Sequence, residues 1–155
     1  MAAFCKGRVK EASLDFVLIF GILGAVFGTI GATQNYSAYP VLSMDNVFSG
    51  ITHSISGFAS LYIAICGLTS LKKENCIITI AIILGFSVMA YVANVILDYN
   101  YMFLKYHDGT PYSIIYNLVG GNAIMYPLTV VGIFVVYAIL FYYIYAKIIE
   151  KKQKN

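Results

Sequence analysis

The sequence predicts an all-α membrane protein, a polytopic helix bundle of about four transmembrane helices forming a single integral-membrane domain over residues 1–155. Three observations predict it. Hydrophobic residues make up 60% of the chain and charged residues only 11%, far from the roughly half-apolar, quarter-charged balance of soluble domains. The apolar residues fall in four long runs. The basic residues gather in the segments between and beyond those runs rather than on a folded face, which excludes the basic, aromatic-interleaved surface of a nucleic-acid binder.

The runs predict helices over about residues 14–32, 47–71, 76–97 and 123–146. A hydrocarbon core of about 30 Å needs about 20 helical residues at 1.5 Å each. None of the runs alternates polar and apolar residues as a strand does. The first run also fits a signal peptide, with a basic segment ahead of an apolar one. A cut after Ala32 would leave Ile30 where a small residue is needed, and the run is longer than a usual apolar signal region. Its Gly21, Gly24, Gly28 and Gly31 stack on one helical face, which lets a second helix approach closely and gives a retained helix a use.

Lys6, Arg8 and Lys10 precede the first run, Lys72 and Lys73 join the second to the third, and Lys147, Lys151, Lys152 and Lys154 follow the fourth. The positive-inside rule places all three segments in the cytoplasm, so both termini are expected there, in the cell membrane. The outer side then holds the segment from Gln34 to Asn46, with no Lys or Arg, and the segment from Asp98 to Asn122, with Lys105 as its one Lys or Arg. Tyrosines cluster at both boundaries, as interfacial residues do.

The second run carries most of the chemistry. Asn46, Ser49, Gly50, His53, Ser56, Gly57, Ser60, Ala64 and Gly67 fall within an arc of roughly 120°, a small and polar face suited to tight packing. Phe48, Ile51, Ile55, Phe58, Tyr62 and Ile65 take the other side and are expected to meet lipid. His53 lies about two turns inside the outer boundary. An imidazole at that depth serves either as an acid/base group or as a neutral partner to a neighbouring helix, and periodicity does not separate the two. On the third run Ser87, Tyr91, Asn94 and Asp98 align within about 60°, with Asn94 at nearly the depth of His53. A polar cluster of His53, Asn94, Asp98 and Asn100, with Asn122 or Tyr126 from the fourth run, is therefore expected in the outer leaflet.

Other chemistries find little support. Charged residues avoid the middle of every run, which argues against proton pumps and charged relays but leaves transport of a neutral solute open. The spacing shows no Ser-His-Asp signature, no glycine-rich phosphate loop and no metal-ligand pattern, so no metal and no cofactor is implied. Cys5, Cys66 and Cys76 offer no paired spacing for zinc and no disulfide framework.

Several motifs carry a likeness to a family. Tyr39-Pro40 precedes the second run, Thr52-His53-Ser54 opens it and Leu61-Tyr62 follows, with Asn94 late in the third. The more specific pieces are Asn100-Tyr101-Met102-Phe103-Leu104, Thr110-Pro111, and Gly121-Asn122-Ala123-Ile124-Met125-Tyr126-Pro127. In these residues, over about Gly21 to Tyr143, the chain resembles the YwaF-like bacterial integral membrane proteins, whose animal relatives include an acyltransferase acting on ether phospholipids. The resemblance implies correspondence to the C-terminal half of longer members. It implies further a cysteine nucleophile paired with a histidine that maps to His53. The family's cysteine-bearing helix has no counterpart in this sequence, and its tryptophan-rich stretch is free of Trp. Cys66 does not substitute: thirteen residues along one helix set it about 20 Å from His53 and on the opposite face.

The expected function is thus a lipid-binding or acyl-transfer half-module with His53 as catalytic residue and Asn94, Asp98, Asn100 and Tyr126 as ligand contacts. The alternative is a non-catalytic membrane scaffold or a carrier of an uncharged ligand. The expected partners are the lipid bilayer, a phospholipid ligand, and either a second membrane protein or further copies of the chain; nucleic acid is not among them.

Overall fold

The computed structural model describes residues 4–30, 42–69, 71–107 and 112–154. Among these residues the chain forms five α-helices and no strand: α1 Gly7–Ile30, α2 Met44–Ile65, α3 Cys76–Leu97, α4 Tyr112–Leu118 and α5 Met125–Lys154, with 3-10 turns at Lys73–Asn75 and Tyr101–Phe103. Four helical stretches are long and apolar enough to cross a bilayer: Gly7–Gly28, Asn46–Ile65, Lys73–Leu97, which takes in the first 3-10 turn, and Met125–Ile148. The protein is all-α with four candidate spans, as the sequence predicts. It divides into two units, Met1–Asn75 and Cys76–Asn155.

The first unit is an antiparallel pair of α1 and α2. Its register follows from the small residues, since Val17 and Gly21 lie against Ser60, Ala25 against Gly57, and Gly28 against His53. A Cβ added to Gly21 would come within 2.6 Å of the Ser56 carbonyl oxygen, and one added to Gly57 within 2.8 Å of the Ala25 methyl. Such proximity is the close backbone approach that van der Waals packing between membrane helices requires. Ser60 is fully buried there, its hydroxyl 2.9 Å from the carbonyls of both Val17 and Ser56. Phe48, Ile51, Ile55, Phe58, Tyr62 and Ile65 are exposed on the opposite side of α2. Gly31 and the Tyr39-Pro40 pair lie outside the described residues.

The helix ends differ from the apolar runs for local reasons. α1 starts at Gly7 rather than near Leu14, because its polar first turns bind the segment after α2. Arg8 donates to the Glu74 carbonyl (2.6 Å), Lys72 pairs with Glu11 (3.2 Å), and the Asn75 amide donates to Asp15 (3.0 Å). α2 begins at Met44, where the Ser43 hydroxyl accepts from the Asn46 N–H. It stops at Ile65 instead of reaching Leu71. Gly67 takes φ +59°, its N–H bonds the Ala64 carbonyl, and the Leu68 N–H bonds that of Ile63. These are the two bonds of a Schellman cap, built on a left-handed glycine. Apolarity continues past residue 65, but the helix does not.

In the second unit α3 and α5 run antiparallel, with α4 and the 98–107 segment against their far end. The fully buried Thr79 hydroxyl meets the Tyr142 hydroxyl at 2.8 Å. Farther along, Leu104, Tyr126 and Val130 form a buried cluster joined by Ala90, Met102, Tyr116 and Phe134. α4 ends on two left-handed glycines, Gly120 and Gly121. Asn122 then opens α5, its side-chain oxygen accepting from the N–H groups of Ile124 and Met125, both at 3.0 Å. This cap satisfies two of the donors that every helix start leaves over.

Candidate functional site

His53 sits on α2 facing α1, half-buried, with its imidazole over the glycine stripe. A Cβ on Gly24 would lie 3.6 Å from its Nδ1, and one on Gly28 would collide with the ring. The missing side chains of α1 are what give the imidazole its seat. One side of the ring thus lies against α1; in hydrocarbon its polar nitrogens would lose hydrogen bonds worth several kcal/mol. Cys5 precedes α1, Cys66 caps the C-terminal end of α2, and Cys76 opens α3.

In the second unit the polar residues named by the sequence mostly organise the segment after α3. Asn94 is buried, and both faces of its carboxamide read one residue: Oδ1 accepts from the Tyr101 N–H (2.5 Å) and Nδ2 donates to the Tyr101 carbonyl (3.0 Å). Asn100 repeats the device, accepting from the N–H groups of Lys105 (3.0 Å) and Tyr106 (3.3 Å) and donating to the Tyr106 carbonyl (2.7 Å). Asp98 is exposed and pairs with Lys105, whose ammonium holds its carboxyl below the ordinary carboxylate range. Tyr126 lies in the buried cluster with Leu104 and Val130. Asn94 and Asn100 therefore bracket one loop, Asp98 clips it shut, and Tyr126 underlies it. Ser87, aligned with Asn94 on α3, donates to the Ile83 carbonyl within its own helix.

The backbone of that loop is strained. Asp98, Met102 and Phe103 hold φ of +50°, +57° and +54°, a region that side chains with a Cβ avoid. Aromatic rings surround it, with Tyr99 against Tyr101 at 4.7 Å and Phe103 stacked on Tyr112 at 4.8 Å.

The model of the TMEM164 family matches residues 8–145. The chain belongs to the TMEM164 family. No curated protein and no solved structure matches it. The TMEM164-family match runs from the first turn of α1 into the last third of α5, and so takes in His53 and the whole bracketed loop.

Two arrangements escape sequence reasoning. Asp15 is fully buried in α1, and its partner Asn75 is sixty residues away, a pairing no local pattern announces. His107 lies with Nδ1 3.1 Å from the Ser113 hydroxyl, and its ring packs on Tyr116 with centroids 4.5 Å apart. A spacing of six residues across a loop matches no catalytic motif, and only the fold brings the two side chains together.

Proposed function

We propose that the chain is a lipid-handling module of the cell membrane, with both termini cytoplasmic, in which His53 is the acid/base group of an acyl-transfer site that a second polypeptide completes. The observation that carries this reading is the seat of His53: an imidazole placed deep along a candidate span, over glycines that leave it room. An ionisable ring in such a place is costly and calls for a use. The likeness to the YwaF-like proteins and their ether-phospholipid acyltransferase relative supplies the chemistry, a thiolate nucleophile activated by a histidine. Cys66 lies thirteen residues along from His53, about 20 Å at the helical rise, so the thiol comes from the partner. Asn94, Asp98, Asn100 and Tyr126 shape the loop that meets the phospholipid.

The test is reconstitution with a cysteine-bearing membrane partner and measurement of acyl exchange on ether phospholipids. His53→Ala should lower the exchange rate by a factor of about 10² to 10⁴, the usual worth of a positioned base, with helicity and melting unchanged. Exchange unaffected by His53→Ala, or a variant that merely unfolds, sinks the catalytic role. A second reading, a non-catalytic scaffold or carrier of an uncharged ligand, gains from the way Asn94 and Asn100 spend their amides on backbone. Orientation is tested separately. Ser37, outside the described residues, changed to cysteine should react with an impermeant maleimide from the outer face alone.

A further inference from the structure

The start of α1 and the turn after α2 are clamped together into one basic end of the first unit. Arg8 donates to the Glu74 carbonyl at 2.6 Å and Lys72 pairs with Glu11 at 3.2 Å. The buried Asn75 amide donates to Glu11 at 3.4 Å and to the buried Asp15 at 3.0 Å. These bonds gather Lys6, Arg8 and Lys10 with Lys72 and Lys73, and all five basic residues are exposed. The acids of the same end are Glu11, Asp15 and Glu74, so its charge is +2. Two of the three acids face inward, Asp15 fully buried and Glu11 against Lys72 and Asn75, which leaves the outward surface more basic still. Setting the orientation of a membrane chain needs only lysines and arginines in its short loops. It does not need two segments sixty residues apart to be bonded together, and what the clamp adds is a fixed arrangement of positive charge.

The place of this surface selects its partner. Candidate spans begin at Gly7 and at Lys73, so the five side chains stand where helices leave the hydrocarbon, and their long stems reach the layer of the lipid phosphates. Exposed apolar side chains are mixed among them, with Phe4 and Val9 flanking the bases of α1 and Leu68 ahead of the turn. Basic and apolar groups side by side suit the boundary between headgroups and acyl chains, where each kind meets its match. A nucleic acid or an acidic peptide in water would leave the apolar ones without a partner. We infer that this end of the first unit is a docking surface for the headgroups of anionic phospholipids, with Arg8 and the lysines on the phosphates and Phe4 and Val9 on the acyl boundary. It is also the end proposed to face the cytoplasm, the side on which anionic lipids of a cell membrane gather. The inference goes beyond the acyl-transfer reading, because the lipid is held here and not altered, and no reacting group takes part.

The experiment places the full chain in phosphatidylcholine nanodiscs with a trace of photoreactive phosphatidylglycerol and maps the adducts by peptide mass. Adducts are expected on residues 4–10 and 68–75, in excess of those from photoreactive phosphatidylcholine, weakened by salt, and displaced by unlabelled phosphatidylglycerol but not by inorganic phosphate. A basic residue near an anionic surface is worth a factor of about five in affinity. Lys6→Gln combined with Lys10→Gln spares every bond of the clamp and should lower the labelling of residues 68–75 roughly 25-fold. Glu74→Gln keeps the backbone carbonyl that Arg8 binds and should raise the labelling of residues 4–10 severalfold, a gain that damaged folding does not produce. Lys105→Gln, outside the surface, should label as the parent. Equal labelling by the two lipids, or labelling indifferent to both the paired lysine change and Glu74→Gln, overturns the proposal. Displacement by inorganic phosphate as effective as by phosphatidylglycerol also overturns it, in favour of a site for a free anion. Nanodiscs carry the same lipids in both leaflets, so the result does not depend on orientation. No acyl exchange is measured, so failure here leaves the His53 reading untouched, and failure of the reconstituted exchange leaves this one standing.

Discussion

Replacing Gly28 by alanine puts a methyl group where the His53 imidazole now lies. The ring must rotate away or the helices must part, and overpacking of this kind costs about 1–3 kcal/mol. Taking about 2 kcal/mol, the folded-to-unfolded ratio falls roughly 30-fold. A double-mutant cycle isolates the cause. In a His53→Ala background the obstacle is gone, so Gly28→Ala should cost nothing or gain up to about 1 kcal/mol from alanine's better helix propensity. Gly21→Ala should behave differently. Its methyl meets the Ser60 hydroxyl and also the Ser56 backbone carbonyl at 2.6 Å, so adding Ser60→Ala leaves the carbonyl clash in place and most of the loss remains. Gly24→Ala, at an ordinary 3.6 Å from the imidazole, should be tolerated. The assay is reversible unfolding in mixed micelles followed by circular dichroism. An equal loss for Gly28→Ala with and without His53 would refute the seat of the imidazole, and rescue of Gly21→Ala by Ser60→Ala would refute the backbone approach.

Asn94→Ala should cost about 1 kcal/mol or somewhat more, since it strips the part-buried Tyr101 N–H and carbonyl of their partner, and limited proteolysis between residues 98 and 107 should accelerate; a resistant loop would remove the bracket. Thr79→Val and Tyr142→Phe break one hydroxyl pair, so their effects on unfolding should couple by about 0.6 kcal/mol, a usual value within membranes, and strict additivity would contradict the contact. Asp98 titrates below the ordinary range because of Lys105. With the folded value depressed, its contribution to loop order is full above the unfolded value of about 3.9 and fades as pH falls below that through the folded value. Carboxyl-carbon magnetic resonance should show Lys105→Met raising the Asp98 midpoint; an unmoved midpoint would assign the depression to another cause.

How much was legible depended on the range of the interaction. The four spans, the small face of α2 and the glycine stripe of α1 are periodic features, and periodicity survives in a lone sequence because a helix repeats every 3.6 residues. The end of α2 was not legible by apolarity, since Leu68 and Leu71 continue the run; the signal was Gly67, which reads as one more small residue until its left-handed φ ends the helix. Of the cluster expected from His53, Asn94, Asp98 and Asn100, the last three meet in the segment after α3, and His53 belongs to the first unit. What they would touch was not legible, because carboxamides give no hint whether they will meet a ligand or a peptide bond. Asp15 with Asn75, and His107 with Ser113, needed the chain to turn back on itself.

The bracketed loop bears on function through its cost. Left-handed backbone at a residue with a side chain costs about 1–3 kcal/mol, and Asp98, Met102 and Phe103 all adopt it within six residues. Two asparagine side chains, an ion pair and the burial of Leu104 against Tyr126 and Val130 offset that cost. A simple connection between two spans would need none of this, since an extended polar link closes the same gap without strain. What the bend achieves is placement: it carries the chain from the end of α3 through Leu104 in the cluster to His107 beside Ser113. The asparagines then act as the frame of the bend, holding the backbone of Tyr101, Lys105 and Tyr106.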